Sequence, residues 1–163
     1  MARMAQQLWL LRHGEAEPHD ARPDADRRLT ERGEEQSRVA GQALAALGIP
    51  FQLVVSSPRV RALDTARLAC ESLGHERVVI DDSLSSDFAL EDALDLAAGA
   101  GDDKRVLLVG HNPDFEQVVH DLTGAAVDLK KGGVAGVRMT GNRRGELLVL
   151  LRPRELRLIA AAG

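Results

Sequence analysis

The sequence predicts an α/β protein: a three-layer αβα sandwich with a mostly parallel central sheet and an antiparallel C-terminal edge. Three observations carry that reading. Short apolar runs rich in Val, Leu and Ile alternate with segments of helical period, the pattern of βαβ units around a parallel sheet. The last part changes character, giving two strand-like runs joined by a glycine-bounded loop. The length of 163 residues suits one domain, taken as residues 1–163, with a single core and no linker.

The elements follow in order. A first strand covers Leu8 to Leu11. A helix starts near Thr30, whose hydroxyl can cap free N–H groups, shows Val39, Ala40, Ala43, Leu44 and Leu47 on one face, and stops at Gly48 and Pro50. Gly33 weakens its first turn by about 1 kcal/mol relative to Ala. A second strand, Leu53 to Val55, leads into a helix with Ser57 as N-cap and Pro58 at the first helical position. Its expected apolar face is Val60, Leu63, Ala66, Cys70 and Leu73, and Gly74 ends it. A third strand, Val78 to Ile80, is followed by a polar loop, Asp81 to Asp87, and a helix around Ala89 to Ala98. A fourth strand, Val106 to Val109, precedes a helix from Pro113 to Gly124, and Gly133 to Thr140 with Glu146 to Leu151 form the edge hairpin.

Composition excludes several classes. Apolar residues make up 44% and charged residues 28%, as in ordinary globular proteins, while aromatics are 2%, so Ala, Leu and Val must fill the core. A net charge of −4 argues against a nucleic-acid partner, because phosphate-backbone binders carry a basic surplus. The single cysteine, Cys70, allows no internal disulfide and no Cys-based zinc site, and sits in an apolar stripe as a small hydrophobe. Met1 to Gln7 offers no leader-like apolar region, and no window approaches the roughly 20 apolar residues that span a bilayer. The expectation is a cytoplasmic protein without a membrane partner.

The chemistry converges at the strand ends. The first strand ends in Arg12-His13-Gly14, the second runs into Ser57-Pro58-Arg59-Val60-Arg61, and the fourth ends in Gly110-His111-Asn112-Pro113. In a parallel sheet these ends lie on one edge, so residues far apart in sequence can meet around one ligand. Arginine forks suit phosphoryl oxygens, and an imidazole can attack phosphorus. Neighbouring guanidinium charge disfavours the imidazolium and keeps the attacking nitrogen free. The start of the second helix adds N–H groups and the positive end of its dipole.

Leu11-Arg12-His13-Gly14-Glu15, Leu29-Thr30-Glu31-Arg32-Gly33, Ser57-Pro58-Arg59-Val60-Arg61-Ala62 and Val109-Gly110-His111-Asn112-Pro113 together resemble the histidine phosphatase superfamily, which includes the phosphoglycerate mutases. The short chain and its Gly-His-Asn-Pro are similar to the small bacterial phosphohistidine phosphatases of the SixA type. The resemblance runs from residue 8 to about residue 120. It implies a phosphoglycerate mutase-like fold and a metal-independent phosphatase needing no cofactor. It further implies His13 as the nucleophile that is transiently phosphorylated, Arg12 and Arg61 as ligands of the phosphoryl oxygens, and His111 as a hydrogen-bonding partner of the transferring group. Arg59 is the rival to Arg61, but the spacing favours the arginine before the small residue Ala62.

The chain departs from that pattern where many relatives carry an acidic residue for the leaving oxygen. The loop reads Asp82-Ser83-Leu84-Ser85-Ser86-Asp87-Phe88, so Asp87 is the candidate acid, with a helix N-cap as its rival role. Glu15 is a second acid within possible reach. The lack of a clear strong acid favours a phosphorylated imidazole, which leaves readily once its ring nitrogen is protonated, over an alkoxide. The expected partner is therefore a phosphohistidine protein, as in signal transduction. The alternatives are a phosphomonoesterase acting on a small phosphorylated metabolite and a phosphoryl-binding module without turnover. A mutase is disfavoured because the short chain offers no obvious cap insertion, and no metal-ligand or Walker-type spacing occurs. His19, His75 and His120 read as surface or structural residues, and Lys130-Lys131 as a solvated turn.

Overall fold

Strand β1 (Gln7–Arg12) shows how the core is divided. Side chains alternate across a strand, so Leu8 and Leu10 enter one apolar layer while Trp9 and Leu11 enter the other, all of them buried. Strand β4 (Arg105–Gly110) repeats the device with Val106 and Leu108 against Leu107 and Val109. A strand buried on both faces reads as a continuous apolar run, and such a run defines the centre of a three-layer α/β protein. The computed structural model describes residues 5–163. Residues 1–4, part of the stretch expected to lack a leader, lie outside the described residues.

With β2 (Leu53–Ser56), β3 (Val79–Ile80), β5 (Val134–Gly141) and β6 (Arg144–Leu151), the sheet has the order β3-β2-β4-β1-β5-β6. The first four in that order are parallel; β5 runs antiparallel to β1, and β6 antiparallel to β5. Helices α1 (Glu31–Ala46), α2 (Val60–Leu73) and α5 (Pro153–Ala162) cover one face, and α3 (Leu90–Ala100) and α4 (Asp114–Thr123) the other. The αβα sandwich with an antiparallel edge is as expected. Among the described residues, no helix is long and apolar enough to cross a membrane.

Helix α1 begins where its cap predicts: the Thr30 hydroxyl accepts the Gly33 N–H at 3.1 Å. Val39, Ala40, Ala43 and Leu44 are buried, but Leu47, the C-cap, is 45% exposed. Helix α2 differs more. It starts at Val60 rather than Pro58, because the Ser57 N–H extends the sheet by donating to the Val109 carbonyl at 2.9 Å. Its buried face is also rotated from the expected stripe: Arg61, Ala62, Thr65, Ala66, Ala69 and Cys70 are buried, while Val60, Leu63 and Leu73 are half-buried. Small residues face inward because α1 and α2 approach closely. Burial of Cys70 pushes its thiol up to about 11, which fits the expected inert hydrophobe.

Three further departures have local causes. The stretch Asp81 to Asp87 is not all loop, since Asp82–Leu84 forms a 3-10 turn that buries Leu84. The hairpin turn is tighter than its glycines suggest, because both strands extend until only Asn142 and Arg143 remain between them. Helix α5 has no counterpart in the sequence reading. Its arginines obscure an amphipathic pattern with one fully buried anchor, Leu156, although Pro153 at its first turn and the Glu155 carboxylate accepting the Arg152 N–H at 3.1 Å mark its start.

Candidate active site

The strand order β2-β4-β1 sets Ser57, His111 and His13 side by side at the C-terminal edge of the sheet. Register makes the placement specific. Arg12 pairs with Gly110, and the next residues on the two strands are the histidines; the His13 N–H donates to the Gly110 carbonyl at 3.1 Å. Their rings lie 5.3 Å apart, tilted by 55°, and both are buried. Helices α1 and α4 leave β1 and β4 towards opposite faces, which opens the crevice where such sheets bind ligands.

His13 is held in one tautomer. Its Nδ1 lies 2.7 Å from the Gly14 carbonyl oxygen, which can only accept, so Nδ1 carries the proton and Nε2 keeps its lone pair. Burial pushes the imidazole down to about 3; the Gly14 carbonyl opposes this, while the Arg61, Arg12 and Lys131 charges add to it. His13 is therefore neutral at physiological pH. His111 is also depressed to about 3, by burial first and then by His13, Arg61, Arg59 and Arg12. The Nε2 of His111 lies 2.8 Å from the Ser57 hydroxyl oxygen, which accepts the Arg59 N–H at 3.2 Å and can donate its own proton to Nε2, leaving the ring proton on Nδ1.

Two guanidinium groups frame the rings. Arg12 donates through Nη1 to the Leu129 carbonyl at 3.0 Å, and the Asn112 amide donates to the same oxygen at 3.0 Å. Arg61, in the first turn of α2, donates through Nη1 to the Asp24 carbonyl at 2.7 Å and through Nη2 to the Asp24 carboxylate at 3.2 Å. Burial, then the Arg27 and Arg59 charges, bring its guanidinium down to about 10, so it remains charged at neutral pH. Arg12 Nε, Arg61 Nε and His111 Nδ1 are buried with no protein partner among the described residues. Buried polar groups are ordinarily satisfied, so three unpartnered groups around one crevice are available to the oxygens of an anion.

The approach of the backbone to this site depends on two glycines. A Cβ on Gly14 would stand 2.4 Å from the Gly33 carbonyl oxygen, and one on Gly33 only 1.9 Å from the Glu15 carbonyl oxygen. The Gly14 N–H donates to Thr65 Oγ1 at 3.1 Å, and the Thr65 hydroxyl donates to the Arg61 carbonyl at 2.7 Å. One hydroxyl on α2 thus links the loop carrying His13 to the turn carrying Arg61.

The structure brings His13, His111, Arg12 and Arg61 together and leaves Asp87 outside their hydrogen bonds. Asp87 is exposed with φ +58°, and it is not the N-cap of α3, a place taken by Ala89. Its loop is nevertheless tied to the crevice, since Arg59 Nε donates to the Ser85 carbonyl at 2.7 Å. Arg59 also pairs with Asp24. Glu15 is paired with Arg32 at 3.5 Å, and Lys130 with Asp128 at 2.8 Å. His19 is exposed, His120 is exposed, and His75 is bonded to the Phe51 carbonyl. Sequence reading missed Asp24, Thr65 and the role of Ser57 beside His111. Ser57 alone had a signal, its position at the end of a strand. Among the described residues, no group of three or more His, Cys, Asp or Glu side chains is arranged to hold a metal ion.

Comparison with known proteins identifies the family. A sequence profile of the histidine phosphatase superfamily (branch 1) matches residues 8–87. An uncharacterised protein of Picosynechococcus is 33% identical over 92% of this chain and 98% of its own. A 2,3-bisphosphoglycerate-dependent phosphoglycerate mutase of Parvibaculum lavamentivorans is 31% identical over 96% of this chain and 74% of its own. The chain spans only 25% to 27% of the length of several other curated relatives that it matches. A solved structure of the protein histidine phosphatase SixA complexed with tungstate superposes with a TM-score of 0.82, covering 92% of this chain and 99% of that one at 22% identity.

Proposed function

Because the chain belongs to the histidine phosphatase superfamily, we propose that it is a phosphatase, that it works without a metal through a phosphohistidine intermediate on His13, and that its substrate is phosphohistidine in a partner protein. One observation carries the proposal: a buried, neutral His13 whose Nδ1 is pinned to the Gly14 carbonyl, beside orphaned donors of Arg12, Arg61 and His111. The lone pair of Nε2 attacks phosphorus, the P–N bond to the substrate imidazole breaks, and that imidazole, already protonated from solvent on its other ring nitrogen, leaves neutral. Arg12 and Arg61 hold the phosphoryl oxygens, and His111 donates to the oxygen on which charge develops. Water then attacks the phosphorylated His13, inorganic phosphate departs, and the free imidazole is restored. Residues 1–163 act as one catalytic domain in this reading.

The substrate assignment rests on the acid. Asp87 is the candidate donor to a leaving group that needs a proton, yet it is exposed and outside the cluster of His13, His111 and Arg61. A dangling acid serves an alkoxide poorly, by a factor of about a hundred or more, and matters little to a leaving imidazole.

The test compares a phosphohistidine carrier protein with a panel of phosphate monoesters, in the presence of chelator. Hydrolysis of the carrier at a higher kcat/KM than any monoester is expected, with loss of turnover in His13→Ala. Asp87→Asn should leave the carrier reaction unchanged and the slow monoester reactions nearly so, because the carboxyl stands outside the cluster; a large loss on monoesters alone would instead make Asp87 a working acid. A preference for one monoester would move the assignment to a small metabolite, and turnover in His13→Ala would remove the nucleophile.

A further inference from the structure

Beside the crevice lies a groove of about 690 Å³ that His13, His111 and Arg61 do not line. Arg12 is common to both. The groove runs from the end of β1 between the N-terminal ends of α1 and α5, with Thr30, Gln36, Pro18 and Pro153 among its walls. Seven of its thirteen lining residues are Arg or Lys, against the single carboxylate of Glu15. In a chain of net charge −4 this concentration is out of proportion. Arg154, Arg157 and Lys131 are exposed and form no ion pair among the described residues, so their charge is uncommitted. Lys131 also acts on His13 electrostatically, which places the groove within reach of the reacting group.

We infer that this groove is the docking site for an acidic polypeptide segment of the phosphorylated partner, lying next to the residue that is dephosphorylated. The inference rests on the proposed phosphatase reading and specifies its substrate class. Charge complementarity selects an anionic segment, and two helix N-termini add their positive ends to the same wall. The volume exceeds what a second phosphate needs. Nucleic acid is disfavoured on separate grounds: Trp9, Phe51, Phe88 and Phe115, the chain's four Trp and Phe side chains, are buried in the core, so none of these rings is presented for base stacking. Glu15 at the groove, already engaged by Arg32, sets a limit on how much negative charge is welcome near β1.

The binding test is independent of turnover. Fluorescence anisotropy of a labelled Glu-rich peptide is measured against an otherwise identical Gln-rich peptide, with wild type and with Arg154→Glu/Arg157→Glu. Both changed residues are exposed on α5 and outside the catalytic cluster, so hydrolysis of a generic aryl phosphate reports that the fold and crevice are intact. The acidic peptide should bind wild type more tightly than the neutral one, weaken about tenfold or more in the charge-reversed variant, and lose affinity with rising salt. Equal binding of the two peptides, or equal binding to both proteins, overturns the inference. So does displacement of the acidic peptide by a single-stranded oligonucleotide or by inorganic phosphate at lower concentration than by unlabelled peptide. Failure of phosphohistidine hydrolysis would instead strike the catalytic reading and leave the binding result standing.

Discussion

Replacing Gly33 by Ala should destabilise the protein and disable it, although helix propensity alone gives the opposite sign. Gly33 lies in the first turn of α1, where Ala is favoured by about 1 kcal/mol. The added Cβ, however, would meet the Glu15 carbonyl oxygen at 1.9 Å and its carbon and nitrogen at 2.9 Å. Relief requires a movement of about 1 Å by backbone that is held on several sides. The Glu15 N–H is bonded to Gln36 Oε1 at 2.9 Å, its carbonyl accepts from the Thr30 N–H at 3.0 Å, and Gly14 is anchored to Thr65. Overpacking of this kind costs about 1–3 kcal/mol, more when backbone must yield. A net loss of about 2 kcal/mol corresponds to a fall of about 4–8 °C in Tm for a chain of this size. Because Glu15 drags Gly14 and His13, a misplacement of about 1 Å at the nucleophile should lower kcat/KM by about a hundredfold. Thermal unfolding by circular dichroism and aryl phosphate turnover measure both effects. Gly99→Ala is the control: Gly99 lies within α3, where a Cβ meets nothing within 4 Å, so a gain of about 0.5–1 kcal/mol is expected. If Gly33→Ala matches the control in stability and retains full activity, the close packing of the His13 loop against α1 is not what fixes the site.

The other predictions concern single polar groups. Thr65→Val keeps the volume but leaves the buried Gly14 N–H without an acceptor, and should cost about 1–3 kcal/mol in urea unfolding. Ser57→Ala removes the partner of His111 Nε2 and should lower kcat/KM about tenfold while the circular dichroism spectrum is unchanged. Nitrogen NMR of the histidine rings should find His13 neutral with the proton on Nδ1 from pH 8 down to about pH 5; a titration of His13 near its ordinary value of about 6.5 would refute its burial. The same depression bears on stability. His13 and His111 stay neutral in the folded chain and bind protons below about 6.5 when unfolded, so stability present above that pH is lost as the pH falls towards 3. The urea midpoint should therefore drop between pH 7 and pH 5, and by less in His13→Ala/His111→Ala.

The parts of the fold that the sequence made legible are those whose burial is two-sided or whose ends carry their own chemistry. β1 and β4 are continuous apolar runs because both of their faces are covered, and α1 begins at Thr30 because the hydroxyl makes its own cap. The pocket was legible for a related reason: Arg12, His13 and His111 sit at fixed offsets from those strands, and Arg61 shortly after β2. What stayed hidden depends on the third dimension. The start of α2 is decided by a hydrogen bond from Ser57 to β4, and its buried face by how closely α1 approaches. α5 is anchored by Leu156 against a sheet it meets only after the chain has folded back. Asp24 lies in a stretch without periodicity, and nothing local in Pro23-Asp24-Ala25-Asp26 announces that it will hold Arg61.

The pairing of Arg12 with Gly110 makes the sheet a ruler for the chemistry. Each histidine is the first residue beyond a matched pair, so the distance between the two rings is counted out in peptide units from hydrogen bonds deep in the core. Lengthening the loop that leads from α3 into β4 leaves the count untouched. Deleting one residue between Leu8 and His13, or between Val106 and His111, would exchange the inward and outward faces of that strand and move its histidine along the edge by one residue's rise, about 3.3 Å. The site is therefore indifferent to the length of the loop that feeds β4 and intolerant of change within the two short segments that measure it.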